Sequence, residues 1–459
     1  MKRKYLTNLE EWNNSSNRKP LLVLGSRQVG KSYLIKELFA EKYFNKNYLR
    51  IDCSDDFAFV QFMEKKPSLK DLLEYIEIRY DFIPTKDNLL IIDEAQEALH
   101  SVQIMKQFKE QRPDVRLIVS GSLVSLKIKR TNNEYRFLFP VGNINELYIY
   151  PMTFDEFLLN YSETKYNYVK KKIESKESVE QSIHDELIKI FEEYLYVGGM
   201  PEAVFQYLEN KDNMYNALKL VSKTLKDIYS NYLSDMELYQ ASKVSILRSI
   251  AIYKSIYSQL NKENENFKTS FVEEGAKNRD FASPMDWLLT ANVVLKSKKI
   301  KERVTTPLVE ENESNYRLYL SDMGLFTYQS GLNAKSFCLD KKNVLSGIYF
   351  ENYIAIEINS RSIPLFYWKG KRDSEFEFLI EVGNKIIPID AKKKRGNLNS
   401  INEYRTHNKK TTVVKVSMNN YGYDSLNDIL TIPYYYFSFY LNDIENNIEE
   451  NITDLLSLV

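Results

Sequence analysis

The sequence predicts an α/β protein with a mainly parallel sheet domain first, a helical middle and a second α/β unit last. Short apolar runs alternate with helical stretches in the first third, which is the pattern of strand–helix–strand units in a parallel sheet. Polar stretches at about residues 162–182 and 261–266 interrupt the later blocks. Single cores rarely grow beyond about 250–300 residues, so we expect domains over residues 1–160, 183–335 and 340–459 of the 459-residue chain.

Composition excludes several classes of protein. Hydrophobic residues make up 43% and charged residues 27%, as in globular proteins. Lys plus Arg and Asp plus Glu both number 63, so any contact with DNA must come from a local basic patch. Cys53 and Cys338 lack the spacing of a disulfide framework or a zinc site. With no signal peptide and no apolar run of about 18–20 residues, we expect a cytoplasmic protein without membrane contact.

Five apolar runs in the first domain predict the strands of the parallel sheet. Each is four residues long and is followed by a polar or helical segment, as a buried strand should be. They lie at residues 21–24, 48–51, 89–92, 116–119 and 146–149.

A glycine-rich loop directly follows the first predicted strand and precedes a helical pattern. It matches G-x-x-x-x-G-K-[ST], a loop whose backbone amides cradle phosphates. The lysine supplies positive charge, and the following serine hydroxyl reaches magnesium. We therefore expect ATP and Mg2+ as cofactors, bound through Gly25, Ser26, Arg27, Gln28, Val29, Gly30, Lys31 and Ser32.

The third and fourth predicted strands end in polar residues that suit the same site. Asp93 and Glu94 follow the run at residues 89–92 and form a Walker B element. We expect Asp93 to help hold magnesium and Glu94 to polarise the attacking water, with Lys31 the third catalytic group. Ser122, in Ser-Gly-Ser after the next strand, is either a sensor of the γ-phosphate or an ordinary turn residue.

The middle of the chain is predicted to be helical from residue 183 to about 260, with a sharp turn at residues 198–201. A small helical unit over 271–299 precedes predicted strands at 301–304 and 316–320. This order of elements is typical of a winged helix.

Several motifs in order resemble the bacterial and archaeal AAA-type ATPases that carry a carboxy-terminal DUF4143 region. The motifs lie at residues 25–32, 91–96, 120–122, 150–157, 196–201, 318–325 and 367–392. The resemblance implies an AAA-like core, a helical and winged-helix middle, and a nuclease-like end. Many relatives have Gly-Arg where this chain has Gly142-Asn143. If that arginine assists hydrolysis, this chain must use another, such as Arg27, Arg130 or Arg136.

The carboxy-terminal region contains a second set of candidate catalytic residues. Strands are predicted at 374–381 and 386–392, joined by a turn at residues 383–384. Side chains alternate between the two faces of a strand, so Asp390 and Lys392 are expected on one face. Glu377 of the neighbouring strand is expected beside them, with Phe376 and Phe378 on the opposite face.

This set matches the PD-(D/E)xK arrangement of restriction-endonuclease-like folds, in which carboxylates hold magnesium and a lysine orients water. Glu377 and Asp390 are the candidate metal ligands, and Glu351, on a helix predicted at 349–358, is the fourth member. Relatives usually have Asp and Glu where this chain has Glu377 and Asp390. A charged surface hairpin and an inactive nuclease fold remain alternatives.

Other residues favour packing over chemistry. His100, His184 and His407 have no metal-ligand spacing, and the tyrosines at 434–436 suit a core better than base stacking. The basic run at 392–395 is either a phosphate contact or a solvated strand end.

Together these features predict an ATP-hydrolysing switch that acts on or with DNA. One alternative is an ATP-gated, Mg-dependent DNA endonuclease. The other is an ATP-dependent, protein-binding regulator with an inactive nuclease fold. ATP, DNA and a second copy of the chain are the partners considered.

Overall fold

The computed structural model describes residues 1–122, 142–238, 240, 242–262, 266–371, 374–383, 385–391, 398–408 and 410–444. Lys392, with the rest of the basic run at 392–395, lies outside these ranges, as do Arg130 and Arg136.

The first part of the chain alternates strands and helices. The helix after the glycine-rich loop has a π-helical segment, Leu34–Ala40, between its two α-helical ends. The elements in order are α1 Tyr5–Asn14, β1 Leu21–Gly25, α2 Lys31–Tyr33, α3 Glu41–Phe44, β2 Tyr48–Asp52, α4 Phe57–Glu64, α5 Leu69–Tyr80, β3 Leu89–Asp93, α6 His100–Gln103, α7 Met105–Gln111, β4 Arg116–Ser122 and β5 Asn145–Ile149.

Within the described residues, five strands form a parallel sheet in the order β2-β3-β4-β1-β5. Strand β1 shows why the apolar runs are continuous. Leu21 and Val23 belong to one hydrophobic core and Leu22 and Leu24 to another, so both faces of the sheet are covered. The structure confirms the predicted strands, and the carboxyl ends of β1, β3 and β4 lie side by side, where ligands bind in such sheets.

Helices dominate the middle of the chain, as predicted. Helix α9 is lysine-rich and mostly solvated, which agrees with the polar composition of residues 162–182. The elements are α8 Phe154–Tyr161, α9 Glu163–Glu174, α10 Gln181–Val197, α11 Pro201–Asn210, α12 Met214–Leu238, α13 Lys243–Leu260, short 3-10 turns at Thr269–Phe271 and Asn278–Phe281, α14 Ala282–Thr290, β6 Val294–Lys299, β7 Tyr316–Leu320, α15 Met323–Ser330 and α16 Ala334–Val344.

The predicted sharp turn at residues 198–201 is confirmed. Helix α10 ends at Val197, and α11 starts at Pro201, a favoured first helical residue. Gly199 packs against the backbone of Met152, because a Cβ atom at Gly199 would lie 2.0 Å from the Met152 carbonyl oxygen. The turn therefore holds the helical region against the segment that follows β5.

A mixed sheet forms the last part of the chain. The elements are α17 Gly347–Asn359, β8 Phe366–Lys369, β9 Glu375–Val382, β10 Lys385–Ala391, α18 Asn399–His407, β11 Val413–Ser417, β12 Gly422–Asp424 and β13 Ile429–Pro433, and residues 434–444 are helical. In the described part of the chain, eight strands are ordered β12-β13-β11-β10-β9-β8-β6-β7. The tyrosines at 434–436 are fully buried, which confirms their predicted packing role.

Two predictions about the middle region were wrong. Residues 294–299 form strand β6 and not the end of a helix, and residues 301–304 are not in a strand. Strands β6 and β7 pair with each other, and β6 also pairs with β8. Strand β7, one of the two strands predicted for the wing, is thus part of the larger sheet, which crosses the predicted limit between residues 335 and 340.

The predicted placement of the two phenylalanines beside Glu377 was also wrong. Phe376 packs against Trp368 in one core, whereas Phe378 packs against Tyr319 in another. The register of β8 with β9 shifts by one residue between Phe366 and Trp368. This irregularity interrupts the period-two alternation on which the prediction depended.

No described helix combines the length and the apolar composition needed to cross a membrane.

Candidate functional site

The glycine-rich loop joins β1 to α2 with an unusual backbone. Gln28 and Gly30 have φ angles of 65° and 87°, in the left-handed region. Gly30 tolerates that conformation without steric cost, because it has no Cβ atom. Helix α2 starts at Lys31, so the loop presents backbone amides at a helix start, the arrangement that binds phosphate in such loops.

Lys31 lies inside the loop and is 6% exposed. Its Nζ donates hydrogen bonds to the carbonyl oxygens of Gly25, at 3.1 Å, and Ser26, at 2.9 Å. Burial lowers the pKa of Lys31, and the nearby carboxylates Glu94 and Asp93 oppose that shift. The lysine is thus held between the loop and the acidic end of β3.

Asp93, at the end of β3, is 1% exposed and receives several hydrogen bonds. Ser120 and the Glu94 amide donate to Oδ1, and Arg50 donates to Oδ2 through Nε at 3.1 Å and Nη2 at 2.7 Å. Burial alone would raise the pKa of Asp93, but bonds from Ser120, Arg50 and Ser32 outweigh it, so the pKa is lowered. The carboxylate therefore stays charged.

Glu94 follows with a φ angle of 53°, a left-handed conformation that is uncommon for a residue with a side chain. Such strained residues cluster at functional sites. The Glu94 Oε2 accepts a hydrogen bond from Nε2 of Gln96. The Oε1 of Gln96 accepts a hydrogen bond from the Ser122 amide at 3.1 Å. Gln96 therefore connects the predicted base to the predicted sensor.

Sequence reasoning missed two residues of this site. Ser120, and not Ser122, hydrogen-bonds Asp93, although both serines belong to the same Ser-Gly-Ser motif. Ser120 lies inside β4 and is fully buried, whereas Ser122 is the last residue of that strand and is partly exposed. Arg50, on β2, carries no local signal, because its contact with Asp93 depends on the pairing of β2 with β3. The sensor role of Ser122 stays a prediction.

The residues present fit a magnesium ion. The Ser32 hydroxyl helps to lower the pKa of Asp93, so the last residue of the loop and the end of β3 lie near each other. Their side chains offer oxygen donors, the ligand type that Mg2+ prefers. Among the described residues, no group of three or more His, Cys, Asp and Glu is arranged to hold a metal by itself. A magnesium ion here would thus need phosphate oxygens and water as further ligands.

The helical region covers the open side of the loop. The Ser26 hydroxyl donates to the carbonyl oxygens of Ala291, at 3.0 Å, and Asn292, at 3.1 Å. Arg27 forms an ion pair with Asp235 of α12. A cavity of about 20 Å³ separates the two surfaces, roughly the space of one water molecule. Arg27, one of the predicted candidates for the assisting arginine, is therefore engaged in closing the site.

The carboxy-terminal candidates also come close to one another. Glu351 on α17 and Glu377 and Asp390 on paired strands β9 and β10 are each less than 10% exposed. Burial and the charges of Glu377, Glu351 and Asp390 raise the pKa of Tyr434 well above its ordinary value, so all three carboxylates lie within electrostatic range of one phenol. The Glu377 Oε2 accepts a hydrogen bond from the Ala391 amide at 3.0 Å.

Arg317 is a further charged member of this cluster, and no sequence motif indicates it. Its Nη2 pairs with Glu375, and its Nη1 lies 3.9 Å from the Glu351 Oε2. Its guanidinium also lies 4.5 Å from the ring centroid of Tyr367. A buried arginine thus places positive charge among these carboxylates, while Lys392 lies outside the described residues.

Comparisons with known proteins agree with this division of the chain. Residues 17–158 match an AAA domain family, residues 188–336 match the domain of unknown function DUF8612, and residues 346–435 match DUF4143. No curated protein sequence matches the chain significantly.

Solved structures give weaker similarity. A Walker-type ATPase of Pyrococcus abyssi is 17% identical, with 72% of this chain and 95% of that chain covered and a TM-score of 0.43. AMPPCP-bound DnaA from Aquifex aeolicus is 14% identical, with 62% and 86% covered and a TM-score of 0.28. A DNA replication initiation factor is 14% identical, with 63% and 77% covered and a TM-score of 0.24.

The parallel sheet, the loop ending in Lys31 and Ser32, and the two domain matches lead to one assignment. Residues 17–158 form an AAA domain with a P-loop, and residues 346–435 form a DUF4143 domain.

Proposed function

We propose that the protein binds ATP with Mg2+ at the P-loop and hydrolyses it. The observation that carries this proposal is the buried Lys31, which the loop carbonyl oxygens of Gly25 and Ser26 hold beside the acidic end of β3. It joins the phosphate-binding loop to the carboxylates of β3 in one compact site. The match of residues 17–158 to an AAA domain supports the same activity.

Each residue has a separate task in this proposal. The loop amides and the Lys31 ammonium bind the phosphates, and Ser32 with Asp93 would hold the magnesium ion. When bound, the ion supplies positive charge against the phosphate oxygens. Glu94 accepts a proton from the attacking water after it exchanges its bond to Gln96 for one to that water. Ser122 senses the γ-phosphate from the end of β4.

The closure by the helical region suggests how nucleotide binding would act as a switch. Ser26 and Arg27 of the loop are bonded to Ala291, Asn292 and Asp235 of the helical region, so a loop that rearranges around a triphosphate would separate from these partners. Release of Arg27 from Asp235 would free its guanidinium to contact the phosphates. Arg27 would then replace the arginine that many relatives have at the position of Asn143. Nucleotide entry and movement of α12 would therefore occur together.

Steady-state hydrolysis with matched controls tests the proposal. Lys31→Ala should weaken nucleotide binding, and Glu94→Gln should keep binding but slow turnover by about 10²-fold or more, as expected for a lost general base. Lys36→Ala and Glu97→Gln remove similar charges from nearby solvated positions and should behave as wild type. Full hydrolysis by Glu94→Gln would show that another group activates the water.

We also propose that the switch acts on or with DNA. The family resemblance and the basic run at 392–395 support this part. Binding should weaken steeply with salt, because phosphate contacts release counterions. If neither DNA binding nor cutting is found, a protein-gating regulator is the better explanation. Size measurements at several protein concentrations test whether a second copy takes part.

A DNA endonuclease is the second candidate function, and the buried carboxylates Glu377 and Asp390 on the paired strands β9 and β10 favour it. It predicts Mg-dependent cutting of supercoiled plasmid that is lost in Asp390→Ala. Cutting that survives in Lys31→Ala would show that nucleotide only regulates it. The buried Arg317 gives this cluster a positive charge of its own, which suits an inactive nuclease fold. A plasmid that stays uncut would agree with a protein-binding regulator that has such a fold.

A further inference from the structure

Arg3 makes a contact with the P-loop that no motif predicts. Its side chain is 1% exposed, and its Nη1 donates to the carbonyl oxygen of Val29 at 2.7 Å. The Nη2 donates to the carbonyl oxygen of Tyr150 at 2.8 Å, just after β5. A guanidinium presents several donors in a fixed plane, so Arg3 sets the distance between the loop and residues 150–156.

Glu156 is the charged partner of Arg3. The Arg3 Nε donates to Glu156 Oε1 at 2.9 Å, and both side chains are 1% exposed. The same Oε1 accepts the Lys4 amide at 2.9 Å, while Oε2 accepts the Thr153 amide at 3.4 Å. Glu156 therefore ties Arg3 to the first turn of α8.

Asp155, the neighbour of Glu156, points to the carboxy-terminal domain. Its Oδ1 accepts the Ser438 hydroxyl at 2.6 Å, and its Oδ2 accepts the Asn442 side chain at 3.2 Å. Burial alone would raise the pKa of Asp155, but the charges of Lys4 and Arg361 and the hydroxyls of Ser438 and Thr153 lower it well below its ordinary range. The carboxylate is thus ionised and fully engaged.

A second contact joins the same turn of α8 to the DUF4143 domain. Glu357 on α17 accepts the Phe154 amide through Oε1 at 2.9 Å and pairs with Arg361 through Oε2 at 3.1 Å. Arg361 also donates to the carbonyl oxygen of Ser438 at 2.6 Å. Three consecutive residues of α8, Phe154, Asp155 and Glu156, are therefore each held by polar side chains from other parts of the chain.

We propose that Arg3, Glu156 and Asp155 couple the P-loop to the DUF4143 domain, with Arg3 as a positioning residue for the loop. The inference rests on the proposed nucleotide binding and goes further, because it names the route by which bound ATP reaches the carboxy-terminal domain. A shift of the loop carbonyl at Val29 moves Arg3 and, through its ion pair, the start of α8. Contiguous buried polar contacts of this kind transmit such shifts between sites.

Hydrogen exchange of the full chain, with and without Mg2+ and ATPγS, tests the coupling. In the wild type, nucleotide should change exchange at residues 434–444 by about fivefold or more, the lower end of typical allosteric coupling. Ser438→Ala removes one donor to Asp155 without altering the ATPase domain and should reduce that change, although Asn442 and Glu357 keep their contacts, while ATPγS still binds. Ser425→Ala, at an exposed position of the same domain, is the matched control.

Arg3 is tested by its effect on nucleotide affinity. Arg3→Met should raise KM for ATP about tenfold with a smaller loss of kcat, because it changes loop geometry and not the reacting groups. Arg3→Lys keeps the charge and should restore part of the affinity, and Lys2→Met is the control, since Lys2 pairs with Glu163 at the surface.

The outcomes separate the inference from the proposed function. If wild-type protein does not bind ATPγS, the proposed function itself fails. If it binds ATPγS but exchange at residues 434–444 does not respond, or if Ser438→Ala responds as wild type does, the coupling route is wrong. An unfolded Arg3→Met protein does not prevent the test, because Ser438→Ala reports on the same route from the other domain.

Discussion

Asp322 offers a quantitative test of the packing that holds the helical region in place. It is 1% exposed, and it accepts the Gly199 amide through Oδ2 at 2.6 Å and the Leu325 amide through Oδ1 at 3.0 Å. It therefore fixes the turn at residues 198–201 and starts helix α15. Burial raises the pKa of Asp322 to about 6, and bonds from backbone amides only partly oppose that shift.

The sign of the pH effect follows from that raised pKa. Between the ordinary value of 3.8 and about 6 the folded protein binds a proton that the unfolded chain has lost. This stabilisation is fully present below pH 3.8 and is lost as pH rises through about 6. A shift of two units corresponds to about 3 kcal/mol of unfolding free energy. Asp322→Asn removes the titrating carboxyl group. It also replaces one of the two side-chain oxygens that accept backbone amides, and this loss is the same at all pH values.

Urea unfolding of wild type and Asp322→Asn at a series of pH values measures the effect. The unfolding free energy of wild type minus that of the variant should fall by up to about 3 kcal/mol between pH 4 and pH 7. Taking the difference removes the titration of other groups. A difference that is constant with pH, or one that grows as pH rises, would refute the assignment of a raised pKa to Asp322.

Three further substitutions test other contacts. Asp235→Asn weakens the ion pair with Arg27, so a fluorescent ATP analogue should associate a few times faster in a stopped-flow measurement. An unchanged association rate would mean that α12 does not limit access to the nucleotide site. Ser120→Ala removes a hydrogen bond that lowers the pKa of Asp93, so the acid limb of the pH–rate profile of hydrolysis should move to higher pH. An acid limb at the same pH as in the wild type would contradict a charged Asp93 in the active form. Gly199→Ala places a Cβ atom 2.0 Å from the Met152 carbonyl oxygen and should lower the melting temperature markedly. A melting temperature equal to that of the wild type would show that this contact can relax.

The parts of the fold that the sequence predicted well are those set by local pattern. Strands β1 and β3 are uninterrupted apolar runs, because the parallel sheet is covered on both faces. The P-loop follows from residue types that the phosphate chemistry demands at fixed spacing. The turn at residues 198–201 follows from its glycines and proline.

The parts that were missed depend on contacts between distant residues. Strand β6 contains Lys296, Ser297 and Lys298, and only its pairing with β7 and β8 makes it a strand. The irregular pairing beside Glu377 likewise depends on β8. Local pattern does not encode such pairings, which explains why Phe376 and Phe378 were assigned to one face.

The candidate site divides in the same way. Lys31, Ser32, Asp93 and Glu94 were identified from motifs, and they lie together. Arg3 and Asp235 were not, because each meets the P-loop region from far along the sequence. Buried ion pairs of this kind carry no periodic signal.

Calorimetric titration of the folded wild-type protein with ATPγS in magnesium buffer measures nucleotide binding itself. We expect saturable binding to one site per chain, lost when magnesium is chelated and weakened at least about tenfold in Lys31→Ala. Absence of binding by the wild type, or equal affinity in the Lys31→Ala protein, would contradict this expectation.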